Sequence, residues 1–246
     1  KADPAAELKF GPNIKDWPEI PALTEDILLK VVSYIDDPVT TTDELIPSGE
    51  TSSYRSNPLR LAEFALSRKD PAYVGASKEV LAIEQRREAG EDPTLGDAGV
   101  AGAFEVIRGL PGFAGIDARA VGIGSTIYAN KPGDGSAREQ AASCQRVVGA
   151  WANIAQEYAT KRYRSNCINW GMVPFLTRDK GVFEKGCYVF VPGVRKAIAE
   201  GSDGIRAYVI RGGKAEEITL SVGELTPDER KILTAGCLIN YYRAGN

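Results

Sequence analysis

Short apolar runs alternate with polar and glycine-rich stretches along the chain, and the periods within them predict both strands and helices. Runs rich in β-branched, aromatic and small apolar residues predict strands over residues 27–35, 120–124, 150–155, 170–175, 187–191, 205–210 and 216–222. Apolar positions at helical spacing, together with capping signals, predict helices from Pro58, over 77–87 and 94–108, from Ser136 to about Val148, over 156–165 and from Pro227. Because the two kinds of element alternate, the pattern indicates a mixed α/β fold.

Residues 1–25 show neither the helical nor the strand spacing of apolar residues. This segment contains prolines at positions 4, 12, 18 and 21, and proline-rich stretches without periodicity are typical of extended linkers. We therefore expect an arm or interdomain linker over residues 1–25, followed by one domain over residues 26–246.

Composition and charge narrow the functional classes. With 43% hydrophobic and 26% charged residues over 246 positions, the chain has the composition of an ordinary soluble globular protein. The net charge of −3 gives no general reason to expect nucleic acid as a partner. No apolar run approaches the length that spans a membrane. We expect a protein of the cytoplasm or the mitochondrial matrix rather than a secreted one.

Four cysteines and the absence of histidine limit the chemistry further. Cys144, Cys167, Cys187 and Cys237 are at least 20 residues apart and form no CxxC pair, so a metal or iron–sulfur site made from this chain alone is not expected. They are instead typical of buried thiols in a reducing compartment. Without histidine, Ser-His-Asp and Cys-His catalysis within the chain are excluded.

The stretch GDGSAREQAASC, residues 133–144, is the strongest candidate for a site. Two glycines permit a sharp turn, and Ser136 followed three residues later by Glu139 predicts a capping box and a helix that begins at Ser136. Arg138 in the first turn is unusual, because a cation is unfavourable at the positive end of the helix dipole. The pattern indicates an anion that the helix end and Arg138 both bind.

Three motifs, in order, resemble the C-terminal swivel domain of the aconitase superfamily over about residues 26–246. They are a TTDE stretch with Asp43 and, twelve residues later, Arg55; the GDGSARE turn; and the segment N-x-x-N-x-G-x-x-P, which matches Asn166, Asn169, Gly171 and Pro174. The stretch LTPDERKILTAGCLINYY at 225–242 is similar to the closing helix of the family. Residues 11–23 resemble the linker that follows the first three domains of single-chain aconitases, so a fragment of a longer hydratase is expected rather than a separate small subunit.

The resemblance implies a three-layer β/β/α swivel domain and the dehydration and rehydration of a hydroxy-polycarboxylate, such as a hydroxy-tricarboxylate. It also implies a [4Fe-4S] cluster in the intact enzyme, held by cysteines of the preceding domains 1–3 or of a large subunit, and none bound by this chain. Purified alone, the chain is then expected to be folded, colourless and inactive.

The same resemblance assigns roles to four residues. Ser136 would be the base that takes a proton next to a carboxylate, and Asp43 would belong to the acid-side hydrogen-bond network. Arg55 and Arg138 would bind substrate carboxylates. A carboxylate-binding site requires these residues to meet, so we expect Ser136 to be exposed, with both guanidinium groups on its face and within about 10 Å.

Three positions depart from the family pattern. Ala137 replaces a second serine, while Glu44 and Gln140 replace histidines. Because the predicted base and both arginines are present, we still expect dehydration and rehydration. The three replacements leave open which polycarboxylate is the substrate.

An RNA-binding regulator is the alternative, since some relatives of aconitase bind RNA. Lys161, Arg162 and Arg164 around Tyr163 form a basic stretch with an aromatic residue inside it. The negative net charge argues against RNA, and nucleic acid is not expected as a partner.

Overall fold

Strands and helices alternate along most of the chain. The computed structural model describes residues 2–245. Its strands are β1 Asp26–Ile35, β2 Thr40–Thr41, β3 Val121–Ala129, β4 Pro132–Asp134, β5 Ala150–Ala155, β6 Val173–Leu176, β7 Tyr188–Val191, β8 Ile205–Arg211 and β9 Lys214–Leu220. Its helices are α1 Thr42–Leu45, α2 Pro58–Ala62, α3 Tyr73–Glu88, α4 Ala98–Arg108, α5 Arg138–Val147, α6 Lys161–Asn169, α7 Val194–Glu200, α8 Pro227–Ala235 and α9 Leu238–Arg243.

Seven strands form one mixed sheet in the order β6-β5-β3-β1-β7-β8-β9. The half from β6 to β1 is parallel, and the half from β1 to β9 is antiparallel. Leu176 at the end of β6 and Ser221 after β9 exchange two backbone hydrogen bonds, of 2.6 and 2.9 Å. The sheet therefore curls until its two edges meet.

The curl separates two hydrophobic cores, because successive side chains of a strand point to opposite faces. Ile27, Leu29 and Val31 of β1 pack inside the curl with apolar residues of the other six strands and of α7 and α8. Leu28 and Val32 face outward, beneath helices α3, α4 and α5. Two layers of strand and one of helix result, and the predicted α/β swivel-type fold is confirmed.

Most predicted elements are present, and the differences have local causes. The strand predicted over 120–124 continues to Ala129, because Ser125 and Thr126 are buried in spite of their hydroxyls. The helix predicted over 156–165 begins only at Lys161, where Thr160 accepts the N–H of Tyr163. Helix α7 was not predicted. Residues 2–25 contain no helix or strand, and the domain boundary at residue 26 stays a prediction.

Candidate active site

Loops that follow three neighbouring strands meet at one edge of the sheet. Strands β1, β3 and β5 are parallel neighbours, so their carboxyl ends lie side by side. The segment after β1 carries Asp43 and Arg55, the turn after β3 carries Ser136, and the loop after β5 leads into α6. In α/β sheets, ligands bind in the crevice outside the carboxyl ends of the strands.

Backbone pairing holds the first two of these segments together. Strands β2 and β4 form a short parallel pair in which Thr41 lies opposite Asp134. Gly135 lies against Thr42, and its φ of +138° belongs to a region that favours glycine. A side chain at Gly135 would collide with the Thr42 hydroxyl, so this close approach depends on the glycine.

Two depressions open on either side of Ser136. The first has a volume of about 330 Å³ and is lined by Ser48, Arg55, Ser136, Ala137, Glu139 and Gln140. The second has a volume of about 350 Å³ and is lined by Ser136, Arg138, Glu139, Lys161, Arg162, Ser165 and Asn166. Each is large enough for part of a small carboxylic acid, and Ser136 and Glu139 belong to both.

The predicted capping box at Ser136 is wrong. Helix α5 begins at Arg138, and its N-cap, Ala137, provides no side-chain hydrogen bond. Glu139 does not reach back to Ser136, because its Oε1 accepts the indole N–H of Trp170 at 2.9 Å. Ser136 is exposed two residues before the helix, as expected, and its hydroxyl is not engaged as a cap.

The two predicted substrate-binding arginines border the depressions on opposite sides of Ser136. Arg55 is exposed after a 3-10 turn, Ser52–Tyr54, and lines the first depression. Arg138 lines the second, and its Nε is buried without a hydrogen-bond partner within residues 2–245. A buried donor without a partner costs about 1–3 kcal/mol. An anion in the depression would remove that cost.

Asp43 lies outside both depressions and pairs with a residue that the sequence did not indicate. Its Oδ2 accepts from Arg68 Nη1 at 2.6 Å, and Arg68 Nη2 also donates to Glu50 at 2.5 Å. The hydrogen bond to Glu50 and the charge of Asp43 raise the pKa of Arg68. The local sequence pattern could not reveal this pair, because Asp43 and Arg68 are 25 residues apart in the sequence and only the fold brings them together.

Glu44, which replaces a histidine of the family pattern, stabilises the start of helix α1. Its Oε2 accepts the N–H and the hydroxyl of Thr41, which makes a capping box at α1. Its Oε1 accepts from Lys69 at 3.2 Å. Burial opposes the charge of Glu44, but the Thr41 donors and Lys69 together lower its pKa. Glu44 lines neither depression, whereas Gln140 lines the first one.

The basic stretch around Tyr163 is not an aromatic-interleaved surface. Tyr163 is fully buried, and its hydroxyl accepts from Asn153 Nδ2 at 2.7 Å and from Gln145 Nε2 at 3.0 Å. Arg164 Nη2 donates to the carbonyls of Val222 and Glu224. Only Lys161 and Arg162 remain exposed, so the interpretation of this stretch as an RNA-stacking patch is wrong.

The cysteines of this chain do not fit an iron–sulfur cluster. All four are buried as free thiols: Cys144 and Cys167 lie in the outer core and Cys187 lies in the core inside the curl, while Cys237 is buried outside both cores. Burial raises the pKa of Cys144 and of Cys187, and raises the pKa of Cys167 to about 12. Within residues 2–245, no group of three or more His, Cys, Asp or Glu residues is arranged to hold a metal ion.

The burial of all four thiols predicts slow chemical modification. Because the thiolate is the reactive form, we expect an aromatic disulfide reagent at neutral pH to modify the native chain only slowly, and all four cysteines rapidly in denaturant. Raising the pH toward 9 should accelerate the native reaction of Cys167 little, since pH 9 stays well below the raised pKa of this thiol. Rapid labelling of two or more thiols in the native chain would contradict this burial.

The arm contacts the Arg55 loop directly and reaches Glu139 of α5 through Trp170. Lys15 donates its backbone N–H to the carbonyl of Ser56, next to Arg55, at 3.0 Å. Trp17 packs on Trp170 with ring centroids 4.2 Å apart, and Trp170 in turn donates to Glu139. The sequence did not identify Trp17 as part of the site. This contact makes Trp17 a positioning residue for Glu139.

Replacing Trp17 by Ala should therefore loosen the turn at Ser136. Loss of an aromatic pair costs about 0.5–1.5 kcal/mol, so we expect amide hydrogen exchange over residues 136–140 to become about 2–10-fold faster. Phe10→Ala is the matched control, since Phe10 is an exposed aromatic residue of the same arm. Equal exchange in both variants would show that the tryptophan contact does not hold the turn.

Within residues 2–245, none of the helices combines the length and the apolar character that crossing a bilayer requires.

No family model matches the sequence, and no curated protein matches it. Among solved structures, the fold is similar to that of a 3-isopropylmalate dehydratase from Methanocaldococcus jannaschii, with a TM-score of 0.54 and 20% sequence identity. The match covers 89% of this chain and 95% of that chain. At this identity the likeness establishes the fold alone, which agrees with the α/β swivel-type fold expected from the sequence.

Proposed function

We propose that this chain is the mobile swivel domain of an aconitase-like hydro-lyase, which dehydrates and rehydrates a hydroxy-polycarboxylate. The observation that carries the proposal is the exposed Ser136 between two depressions, one lined by Arg55 and the other by Arg138. The structural similarity to a 3-isopropylmalate dehydratase also supports it.

Ser136 acts in this proposal as the base that removes a proton from the carbon next to a carboxylate. A serine alkoxide is far too basic to exist free at neutral pH, so it needs a stabilising environment. The start of α5, with its free N–H groups, and Arg138 in its first turn supply positive potential beside the Ser136 oxygen. The hydroxyl formed on protonation returns the proton in the reverse, hydrating direction.

The arginines bind and orient the substrate. A guanidinium presents two parallel N–H donors that match the two oxygens of a carboxylate. Arg55 and Arg138 then hold carboxylates on opposite sides of Ser136, which fixes the position of the carbon to be deprotonated. Asp43, which forms an ion pair with Arg68, is assigned in this proposal to the hydrogen-bond network on the acid side.

Other parts of the enzyme supply what this chain lacks. In this proposal a [4Fe-4S] cluster that would bind the substrate hydroxyl belongs to upstream domains 1–3 of the same polypeptide or to a large subunit, and the burial of the thiols of this chain supports that assignment. No step of the proposed reaction uses a cysteine of this chain.

Arg55→Lys tests the proposal by its effect on binding. One ammonium cannot reproduce the two parallel hydrogen bonds, so we expect the affinity of the chain for citrate, used as a probe, to fall by about tenfold in an NMR titration. Arg243→Lys is the control, since Arg243 is exposed on α9. If the wild-type chain shows no citrate-dependent shifts at residues 55 and 136–140, the proposed function is wrong.

A further inference from the structure

A second group of positive side chains faces Ser136 from helix α6. Lys161, Arg162, Ser165 and Asn166 line the second depression together with Arg138. Their positions in the sequence repeat after four residues, so they lie on one face of the first two turns of α6. That face looks across the depression toward the start of α5.

Both helices begin at this depression, and both carry cations where the helix dipole disfavours them. Helix α5 has Arg138 at its first position, and α6 has Lys161 and Arg162 at its first two positions with no acidic residue in its first turn. Cations stabilise the C-terminal end of a helix, not the N-terminal end. Within residues 2–245, none of these three side chains forms an ion pair.

Hydrogen bonds fix the start of α6 against the turn of Ser136, so this arrangement does not depend on long flexible side chains alone. Thr160 donates its hydroxyl to the carbonyl of Gly133 at 3.1 Å and accepts the N–H of Tyr163 at 3.1 Å. Gly133 lies directly on the buried ring of Tyr163, where a side chain would collide with that ring.

The charges around Ser136 are strongly unbalanced. The two depressions hold four positive side chains, Arg55, Arg138, Lys161 and Arg162, against the single carboxylate of Glu139, a net of three positive charges. The chain as a whole has a net charge of −3. Like charges gathered in one place repel, and an anion of matching charge relieves that repulsion.

We infer that Lys161 and Arg162, with Ser165 and Asn166, form a second anion subsite that recognises a carboxylate at the far end of the substrate. The inference rests on the proposed function and extends it: one carboxylate lies at Arg55, another at Lys161 and Arg162, and Ser136 lies between them. The Ser165 hydroxyl and the Asn166 amide supply neutral donors to the same group. The subsite therefore selects a polycarboxylate with three negative charges over a shorter dianion.

The test compares two probes on the whole chain, propane-1,2,3-tricarboxylate and succinate, by NMR or calorimetric titration at low salt. In the wild type we expect the tricarboxylate to bind roughly tenfold more tightly than succinate. The double variant Lys161→Gln with Arg162→Gln should lose that tenfold preference and keep its affinity for succinate within about twofold. All the substituted side chains are exposed, and thermal unfolding of each variant verifies the fold.

A matched control removes the same charge elsewhere. Arg178→Gln with Lys180→Gln deletes two exposed cations in the loop after β6, which lines neither depression. An equal loss of tricarboxylate affinity in this control would overturn the subsite, because the effect would then come from net charge alone.

The remaining outcomes separate the subsite from the proposed function. If Arg55→Gln weakens both probes while the α6 double variant changes neither, the subsite is wrong and the proposed function stands. If the wild type binds neither probe at millimolar concentration, both are wrong. If the α6 double variant instead loses affinity only for a single-stranded RNA oligonucleotide, the subsite is wrong and the surface binds nucleic acid.

Discussion

Replacing Ser136 by Ala is expected to lower the turnover of the intact hydro-lyase by about 10²–10⁴-fold, the usual contribution of a positioned base. Substrate affinity should change little, because Arg55 and Arg138 lie on either side of Ser136 and remain in place. The measurement is the rate at which the unsaturated acid appears by ultraviolet absorbance, with the chain joined to the part that carries the cluster. A loss in kcat with KM nearly unchanged identifies a group that acts mainly in the transition state.

Ser53→Ala provides the matched control for that variant. Ser53 is exposed in the 3-10 turn before Arg55 and lines neither depression. We expect wild-type turnover for Ser53→Ala. Turnover near wild type in Ser136→Ala as well would reduce Ser136 to a turn residue and would contradict the proposed mechanism. Because the structure excludes Ser136 as the N-cap of α5, lost helix stability cannot account for a large effect.

Gly171→Ala is expected to destabilise the chain by more than about 3 kcal/mol. Gly171 follows α6 with a φ of +69°, a conformation that L side chains rarely adopt. A Cβ there would overlap the carbonyl oxygen of Gly236 and lie 2.6 Å from its carbonyl carbon. Backbone atoms cannot rotate away as a side chain can, so the ends of α6 and α8 would have to separate.

Urea unfolding measures this cost, and Gly213→Ala separates its two causes. Gly213 has a similar φ of +73°, but no atom lies within 4 Å of a Cβ placed there. Its substitution should cost only about 1 kcal/mol, the price of the backbone conformation. Equal losses for the two variants would show that the close approach of Gly171 to Gly236 contributes nothing.

Gly171 also belongs to a sequence motif whose structural role only the fold reveals. The N-x-x-N-x-G-x-x-P segment indicated a family resemblance but no contact. In the fold, Gly171 allows the end of α6 to approach Gly236, and Asn166, earlier in the segment, lines the second depression. One part of the motif therefore supports packing, and another part faces the site.

The sequence by itself determined the elements whose signals are local. Alternating and continuous apolar runs predicted the strands, because burial on a sheet face repeats at a fixed spacing. Asn57 before Pro58, and Thr226 with Glu229, predicted two helix starts, and both caps are present. The local pattern of the GDGSARE turn also indicated Ser136 and Arg138 as candidates for an anion site, whereas Arg55 was indicated only by the family resemblance.

Only the tertiary structure decided which of these residues meet, because their contacts join segments that are far apart in the sequence. Ser136 and Glu139 have the spacing of a capping box, but the carboxylate of Glu139 accepts a hydrogen bond from the indole of Trp170 instead, and no capping box forms. Arg55 and Ser136 share a depression because β1 and β3 are parallel neighbours whose carboxyl ends lie at the same edge. The pairing of distant strands, which no local period encodes, assembles the site.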